Sequence, residues 1–116
     1  MVKIASITFA TVALVGQALA ITNCTVGQFY CGYTLLNDGA TYQLWERRIT
    51  DALAARNQPV DSEHKTQTLF FCSAPDTVSF DEFCFSNTQP TYRCQPPSAN
   101  GCGGGSTKND CCAPQI

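Results

Sequence analysis

The chain is 116 residues long and carries seven Lys/Arg, nine Asp/Glu and eight cysteines, with a formal net charge of -2. This length predicts a single domain. The mildly acidic balance counts against function classes that need clustered positive charge, such as nucleic-acid binding and adhesion to anionic membranes. We therefore expect neither nucleic acid nor a membrane as a partner.

The first 20 residues have the three parts of a secretory signal peptide. Lys3 supplies the positive start, an apolar run extends from Ile4 to Val15, and Ala18-Leu19-Ala20 ends in the small-residue pattern of a cleavage site. The alternative, a membrane anchor, is disfavoured because the run is interrupted by polar residues and is short for a bilayer. The sequence therefore predicts residues 1–20 as a signal peptide that is cleaved after Ala20.

Cleavage would leave residues 21–116, a chain of 96 residues. Its six basic and nine acidic side chains give a net charge of about -3. No apolar run in this part is long enough to span a membrane. We expect a soluble, secreted, extracellular monomer formed by one disulfide-stabilised domain.

All eight cysteines follow the predicted cleavage site, and an even number behind a signal peptide predicts four disulfides formed in an oxidising compartment. They are Cys24, Cys31, Cys72, Cys84, Cys94, Cys102, Cys111 and Cys112. A zinc site is disfavoured because the required Cys-x2-Cys pairs and spaced histidines do not occur, so we expect no metal and no other cofactor. A bond between the adjacent Cys111 and Cys112 would be strained, so they should fasten the tail to two different places.

Asn23-Cys24-Thr25 spells an N-glycosylation acceptor. The middle residue is a cysteine, and its expected disulfide would compete with glycosylation. Asn23 is therefore a possible glycosylation site, and the alternative is an unmodified asparagine.

The first regular element is predicted over Gln28 to Leu36, which is dense in aromatic and β-branched residues and is followed by the turn residues Asn37-Asp38-Gly39. This composition favours a strand followed by a turn. Alternation along that strand would place four residues on the core face: Phe29, Cys31, Tyr33 and Leu35.

From Thr41 the apolar spacing changes to three and four residues, which predicts an amphipathic helix ending near Asn57 and Pro59. The apolar stripe consists of Tyr42, Trp45, Ile49, Ala52 and Leu53. Thr41 is the expected N-cap, and Arg47 with Asp51 the expected ion pair one turn apart. On this stripe, Trp45 is interpreted as a core anchor in preference to a ligand-stacking residue.

Residues 57–67 are polar and contain a proline, which indicates an exposed loop. They hold the only histidine, His64. We interpret it as a solvated residue, because a general base needs a pocket and a partner that such a loop does not supply.

The expected centre of the core is a β-hairpin formed by residues 69–72 and 78–85 around a turn at Pro75 and Asp76. Pairing about this turn would place Cys72 opposite Ser79 and leave Cys84 about 16 Å from Cys72 at about 3.3 Å per residue. Disulfides need Cα atoms within about 7 Å. The two hairpin cysteines should therefore bond to other segments.

After the hairpin, residues 91–94 are predicted as a short last strand and residues 95–116 as a loop held by disulfides. The glycine run at 103–105 lacks the lysine and following helix of a phosphate-binding loop. The expected fold class is α+β. It is a small disulfide-rich domain with an antiparallel sheet of three to four strands packed on one amphipathic helix and a loop-rich C-terminal tail.

No catalytic set is evident in the sequence, so we expect a protein that is not an enzyme. A nucleophile needs a base beside it, and there is a single histidine and no Gly-x-Ser-x-Gly elbow. Glu46 and Glu82 would suit a glycosidase only if the fold brought them together, and nothing in the sequence predicts that.

The arrangement resembles the small secreted cysteine-rich proteins of filamentous fungi, many of which are effectors released into host tissue. The resemblance rests on the signal peptide, the helix, the paired cysteine-bearing strands and four short stretches: Cys24 followed by Gly27, Tyr30-Cys31-Gly32, Leu35-Leu36, and the Gly-rich tail ending Asp110-Cys111-Cys112. It implies a non-enzymatic binding protein with an extracellular or host target and no catalytic residues.

Two other classes stay open. One is a secreted inhibitor or antimicrobial protein, although the net negative charge counts against membrane lysis. The other is a module that binds cell-wall polysaccharide, for which Tyr30, Tyr33 and Tyr92 would form a coplanar strip of exposed rings. A line of exposed tyrosines would favour sugar, and scattered tyrosines a protein partner.

Overall fold

A hairpin and one long helix organise the fold, as seen in the computed structural model, which describes residues 22–85, 92–102 and 109–114. The predicted signal peptide and the glycine run at 103–105 lie outside the described residues. The α+β, disulfide-rich class predicted from the sequence is confirmed, with antiparallel strands, helices and four disulfides. The strands divide between two sheets, of three and two strands, where a single sheet was expected.

The predicted hairpin is confirmed. Strand β2 (Thr68–Ala74) and strand β3 (Thr77–Phe83) pair antiparallel around the turn at Pro75 and Asp76. Strand β1 (Phe29–Cys31) adds to the other edge of β2, which gives the order β1-β2-β3.

The register at the tip of the hairpin differs from the prediction by one residue. Cys72 lies opposite Val78 and not Ser79, because the ladder has an irregularity between Cys72 and Ala74. A bulge of this kind adds a residue to one strand and shifts every pair beyond it.

The predicted amphipathic helix is helix α2 (Tyr42–Ala55). It buries the side chains of Trp45, Ile49, Ala52 and Leu53 in the same cluster as Phe70, Cys72 and Val78 of the hairpin. Trp45 is fully buried, which confirms its interpretation as a core anchor. The helix is followed by Asn57 in the left-handed conformation (φ 56°), a common way for a helix to terminate.

Three details of this helix were predicted wrongly. Thr41 makes no side-chain cap, because its side chain turns into the core, where its Oγ1 atom has no hydrogen-bond partner among the residues that the structure describes. Arg47 and Asp51 form no ion pair, since both side chains extend into solvent. Tyr42, at the first position of the helix, is 42% exposed.

The first predicted strand stops at Cys31, and the next residues form the single helical turn α1 (Gly32–Leu35). A carboxylate from far along the chain explains this correction. Asp110 Oδ2 accepts hydrogen bonds from the Cys31 backbone N–H (2.8 Å) and from Thr34 Oγ1 (2.8 Å), which satisfies donors at the start of the turn.

Residues 57–67 are not entirely a loop, because Ser62–Gln67 form helix α3. Asp61 caps it: its Oδ1 atom accepts a hydrogen bond from the His64 backbone N–H (2.7 Å). The helix buries none of its residues, so it has no apolar stripe by which the sequence could have predicted it.

The C-terminal tail contains more structure than was predicted. Strand β4 (Tyr92–Gln95) is close to the expected strand but is not the last, since strand β5 (Cys111–Pro114) pairs with it antiparallel. A short 3-10 helix (Asn100–Cys102) lies between them. The sequence Cys-Cys-Ala-Pro carries little β propensity, so pairing with β4 and the disulfides, and not local preference, explains β5.

The three-stranded sheet is covered on both faces. Helix α2 packs on one face, and on the other Cys31 and Leu69 form a second buried cluster with Cys84 and Cys94. Neighbouring residues of a strand point to opposite faces, so the second cluster lies on the face away from α2. Strands β4 and β5 contribute Cys94 and Cys112 to this cluster and therefore form a third layer.

The four predicted disulfides are confirmed, and all eight cysteines take part. The pairs are Cys24–Cys72, Cys31–Cys94, Cys84–Cys112 and Cys102–Cys111. As predicted, the hairpin cysteines do not bond to each other, and neither do the adjacent cysteines of the tail. The expectation that both tail cysteines fasten it elsewhere holds for Cys112 only, since Cys111 closes a short loop with Cys102 inside the tail.

Helix α1 depends on a glycine at its first position, so we expect Gly32→Ala to lower the free energy of unfolding by about 3 kcal/mol or more. A Cβ atom there would overlap the carbonyl oxygen of Lys65, whose own backbone is held by a hydrogen bond to Asp61. Gly39→Ala is the matched control: nothing lies within 4 Å of its Cβ position, so a change of less than about 1 kcal/mol is expected. Denaturant unfolding of the oxidised proteins measures both, and equal stabilities would contradict the prediction.

Candidate binding site

Asn23, the possible glycosylation site, is exposed near the start of the described chain. The neighbouring Cys24 is buried in its disulfide with Cys72, so the fold separates the two side chains. Glycosylation of Asn23 stays a prediction.

The three tyrosines proposed as a sugar-binding strip do not form one. Tyr30 packs on the side of helix α2, where its hydroxyl accepts a hydrogen bond from the Thr25 N–H (2.9 Å). Tyr33 belongs to the cluster on the opposite face of the sheet, and its hydroxyl donates to the carbonyl of Cys94 (2.9 Å). Tyr92 is half-buried on β4. The rings are therefore scattered.

The environment of Tyr33 matches this structural role. Burial, and secondarily the negative charge of Asp110, raises the pKa of the Tyr33 hydroxyl above its ordinary value. The hydroxyl therefore stays protonated, and its O–H donates a hydrogen bond to the Cys94 carbonyl. This bond links the segment after β1 to β4.

His64 is not the solvated residue that the sequence indicated. Its side chain is only 14% exposed, and its Nδ1 atom lies 2.7 Å from Asp61 Oδ1. The ring stacks on Phe83, with centroids 3.8 Å apart and planes 9° apart. The His64 backbone N–H and then its ring hold the pKa of the Asp61 carboxyl below its ordinary value.

The stack continues beyond His64. The rings of Phe83 and Phe85 lie 6.2 Å apart, and the guanidinium carbon of Arg93 lies 4.0 Å from the centre of the Phe85 ring. These four half-buried groups, His64, Phe83, Phe85 and Arg93, form a row that we call the π stack. Their faces are turned towards one another, so the row links α3, β3 and β4 in preference to offering a flat platform to a sugar.

The surroundings of Glu46 and Glu82, the two glutamates considered for a glycosidase, do not indicate a catalytic pair. Glu46 accepts a hydrogen bond from Lys65 Nζ (2.9 Å), which links helices α2 and α3. Glu82 is exposed on β3.

A cleft of about 270 Å³ lies between helix α2 and the tip of the hairpin. We call it the α2 cleft. Seven residues line it: Arg48, Asp51, Ala52 and Ala55 from the helix, and Asp76, Thr77 and Val78 from the hairpin. Ala52 and Val78 are buried, so the floor of the cleft is apolar.

Two carboxylates and one guanidinium line the α2 cleft, giving it a net charge of -1. Asp76 Oδ1 accepts a hydrogen bond from Thr77 Oγ1 (2.9 Å), whereas Asp51 makes no hydrogen bond or ion pair with the residues that the structure describes. Arg48 Nη1 donates to the Thr22 carbonyl (2.7 Å), and its guanidinium carbon lies 4.6 Å from the centre of the Trp45 ring.

The first described residues run along one edge of this cleft. Cys24 donates its backbone N–H to the Pro75 carbonyl (2.8 Å) and is bonded to Cys72. Two residues earlier, the Thr22 carbonyl accepts a hydrogen bond from Arg48. The segment is therefore attached to Arg48 on the helix wall and to Pro75, the residue before Asp76 of the other wall.

The α2 cleft could not be predicted from the sequence, because its charged residues have the pattern of ordinary surface residues. Arg48 and Asp51 fall on the polar side of the helix, and Asp76 lies in a tight turn. Only the packing of the helix on the hairpin brings them together. An unpaired carboxylate on the polar face is a weak signal, because most helices carry several.

Within the described ranges, no cluster of three or more His, Cys, Asp or Glu side chains could hold a metal ion, and no helix has the length and apolar character needed to cross a membrane. Comparisons with protein-family models, with curated proteins and with solved structures find no match for this chain.

Proposed function

We propose that the protein is secreted and acts, as effectors do, by binding an extracellular or host protein through a rigid surface, without catalysis. The observation that carries this proposal is the disulfide framework, in which all eight cysteines are paired and two bonds join the three-stranded sheet and the residue after it to the two-stranded sheet. Such bonds persist in oxidising compartments outside the cytosol.

The same framework favours binding for an energetic reason. A surface built from turns and loops loses conformational entropy when it binds. Disulfides remove much of that entropy before the partner arrives. The bond between Cys84 and Cys112 illustrates this, since it joins residues 28 positions apart and closes a ring that contains β4 and the short 3-10 helix.

The arrangement of aromatic side chains supports a protein partner over a polysaccharide. Tyr30 and Tyr33 pack on opposite faces of the sheet, and the rings of the π stack cover one another. Sugar-binding surfaces of the kind considered above need rings that lie side by side with open faces.

The proposal is tested with protein purified from a culture supernatant. Its mass is expected to match a chain that begins at Ile21 and lacks eight hydrogens, two for each of the four disulfides. This oxidised form is used to capture partners from host extracellular fluid. We expect that reduction and alkylation abolish capture, because they release the loops that form the surface.

Two variants sharpen this experiment. Cys84→Ala with Cys112→Ala removes one whole bond without leaving a free thiol, and should weaken capture of the same partner. His64→Ala should retain capture, since the proposed function uses no general base. Undiminished capture after reduction would contradict the role of the disulfides. Loss of capture by the His64→Ala variant, with its fold unchanged, would indicate that the histidine takes part in chemistry.

A further inference from the structure

We propose that, after removal of the signal peptide, the new amino terminus at Ile21 docks in the α2 cleft, with its ammonium group beside Asp51 and Asp76. The proposal rests on cleavage after Ala20, which belongs to the proposed function. It adds a contact that only the processed chain can make.

Hydrogen bonds of Thr22 and Cys24 already hold the chain next to the cleft. Thr22 is held through its carbonyl by Arg48, which is itself a wall of the cleft. Consecutive Cα atoms are about 3.8 Å apart, so residue 21 begins within one residue of that wall. The disulfide of Cys24 and its hydrogen bond to Pro75 keep the segment from swinging away.

Charge favours this occupant. The ionisable groups that face the cleft are Arg48 and Asp51 from helix α2 and Asp76 from the hairpin turn. Together they leave one uncompensated negative charge, and a terminal ammonium group supplies one positive charge. Asp51, which has no partner among the described residues, would gain an ion pair.

The size and lining of the cleft also match. Its volume of about 270 Å³ lies just below the range of about 300–1,000 Å³ typical of small-molecule pockets. This space suits one aliphatic side chain better than a large ligand. The apolar floor, formed by Ala52 and Val78, offers contacts to the isoleucine side chain.

Docking of this kind depends on processing. Before cleavage, the nitrogen of residue 21 belongs to an uncharged peptide bond, so it cannot neutralise the carboxylates. After cleavage it carries a charge and joins helix α2 to the hairpin. In the mature protein the amino terminus would therefore occupy this cleft, and in the precursor it would not.

The test compares two oxidised proteins, one that begins at Ile21 with a free amine and one acetylated there, which removes the charge. Both are released from a fusion by a specific protease, so the result does not depend on how cells process the precursor. We expect nuclear Overhauser contacts from Ile21 to Val78 in the free form. We also expect acetylation to lower the thermal midpoint by about 3 °C, the scale of one partly exposed ion pair.

The pH dependence gives an independent readout. An ion pair raises the folded-state pKa of the amine above its unfolded value of about 7.7–8.0. Its stabilisation is therefore complete below that range and is lost as the pH rises through the folded-state pKa. The difference between the free and acetylated forms should be present at neutral pH and absent at strongly alkaline pH.

Asp51→Asn should reduce the effect of acetylation by at least half, and Asp81→Asn, an exposed carboxylate on β3 that does not line the cleft, should leave it unchanged. The absence of contacts from Ile21 to the cleft, or equal midpoints for the free and acetylated forms, would overturn the proposal. A secreted chain that begins elsewhere would instead refute the predicted processing, so the two failures are distinguishable.

Discussion

Removing the disulfide between Cys31 and Cys94 is expected to lower the free energy of unfolding by about 4 kcal/mol. This bond joins residues 63 positions apart, the largest separation of the four, so its loss frees the most chain in the unfolded state. Both side chains are buried, and the double change to alanine avoids placing an unpaired hydroxyl in the core.

The bond between Cys102 and Cys111 is the matched comparison. It spans only nine positions, for which the same chain-entropy relation gives about 3 kcal/mol. Guanidinium unfolding of both double-alanine variants should therefore place the Cys31–Cys94 variant about 1 to 2 kcal/mol below the other. The reverse order would mean that native-state strain or packing, and not loop length, decides what these bonds contribute.

Replacing Trp45 with alanine is expected to lower the free energy of unfolding by about 3–5 kcal/mol. The side chain is fully buried between helix α2 and the hairpin, and truncating it would leave a cavity that the disulfide-bonded sheet cannot close. No cysteine lies between Cys31 and Cys72, so no disulfide holds α2, and its position depends chiefly on packing.

Tyr42→Ala, on the same helix but 42% exposed, is the control and should cost less than about 1 kcal/mol. Because Trp45 is the only tryptophan, unfolding is followed by far-UV circular dichroism and not by fluorescence. Equal losses in the two variants would show that the α2 interface is not the main support of the core.

The hairpin and helix α2 could be predicted because local pattern and tertiary packing agree there. Pro75 and Asp76 interrupt two aromatic-rich runs, and the spacing of Trp45, Ile49 and Leu53 matches the period of a helix. On the helix, every residue that the pattern places on the apolar side is buried in the core, with the exception of Tyr42.

Two of the elements that were missed, α1 and β5, depend on distant residues. Gly32 and its neighbours have the composition of a strand, but Asp110 caps them as a helical turn from 79 residues away in sequence, counted from Cys31. Strand β5 likewise needs β4 as its partner. A window of ten or fifteen residues contains neither contact.

The candidate site could not be predicted from the sequence, for a related reason. The number of disulfides follows from the cysteine count, but the partners do not, since eight cysteines allow about 105 connectivities. Without the Cys24–Cys72 bond, nothing in the sequence placed Thr22 and Cys24 next to the α2 cleft. The stacking of His64 on Phe83 likewise requires a helix that has no apolar stripe.

The order of the disulfides along the chain has a consequence for proteolysis. The spans Cys24–Cys72, Cys31–Cys94 and Cys84–Cys112 overlap, so every peptide bond from Cys24 to Cys112 lies inside at least one covalently closed ring. A protease that cuts this region once opens a ring but releases no fragment, because the two pieces stay joined through sulfur. A nicked molecule therefore keeps all of its parts tethered, and shedding a piece requires a second cut.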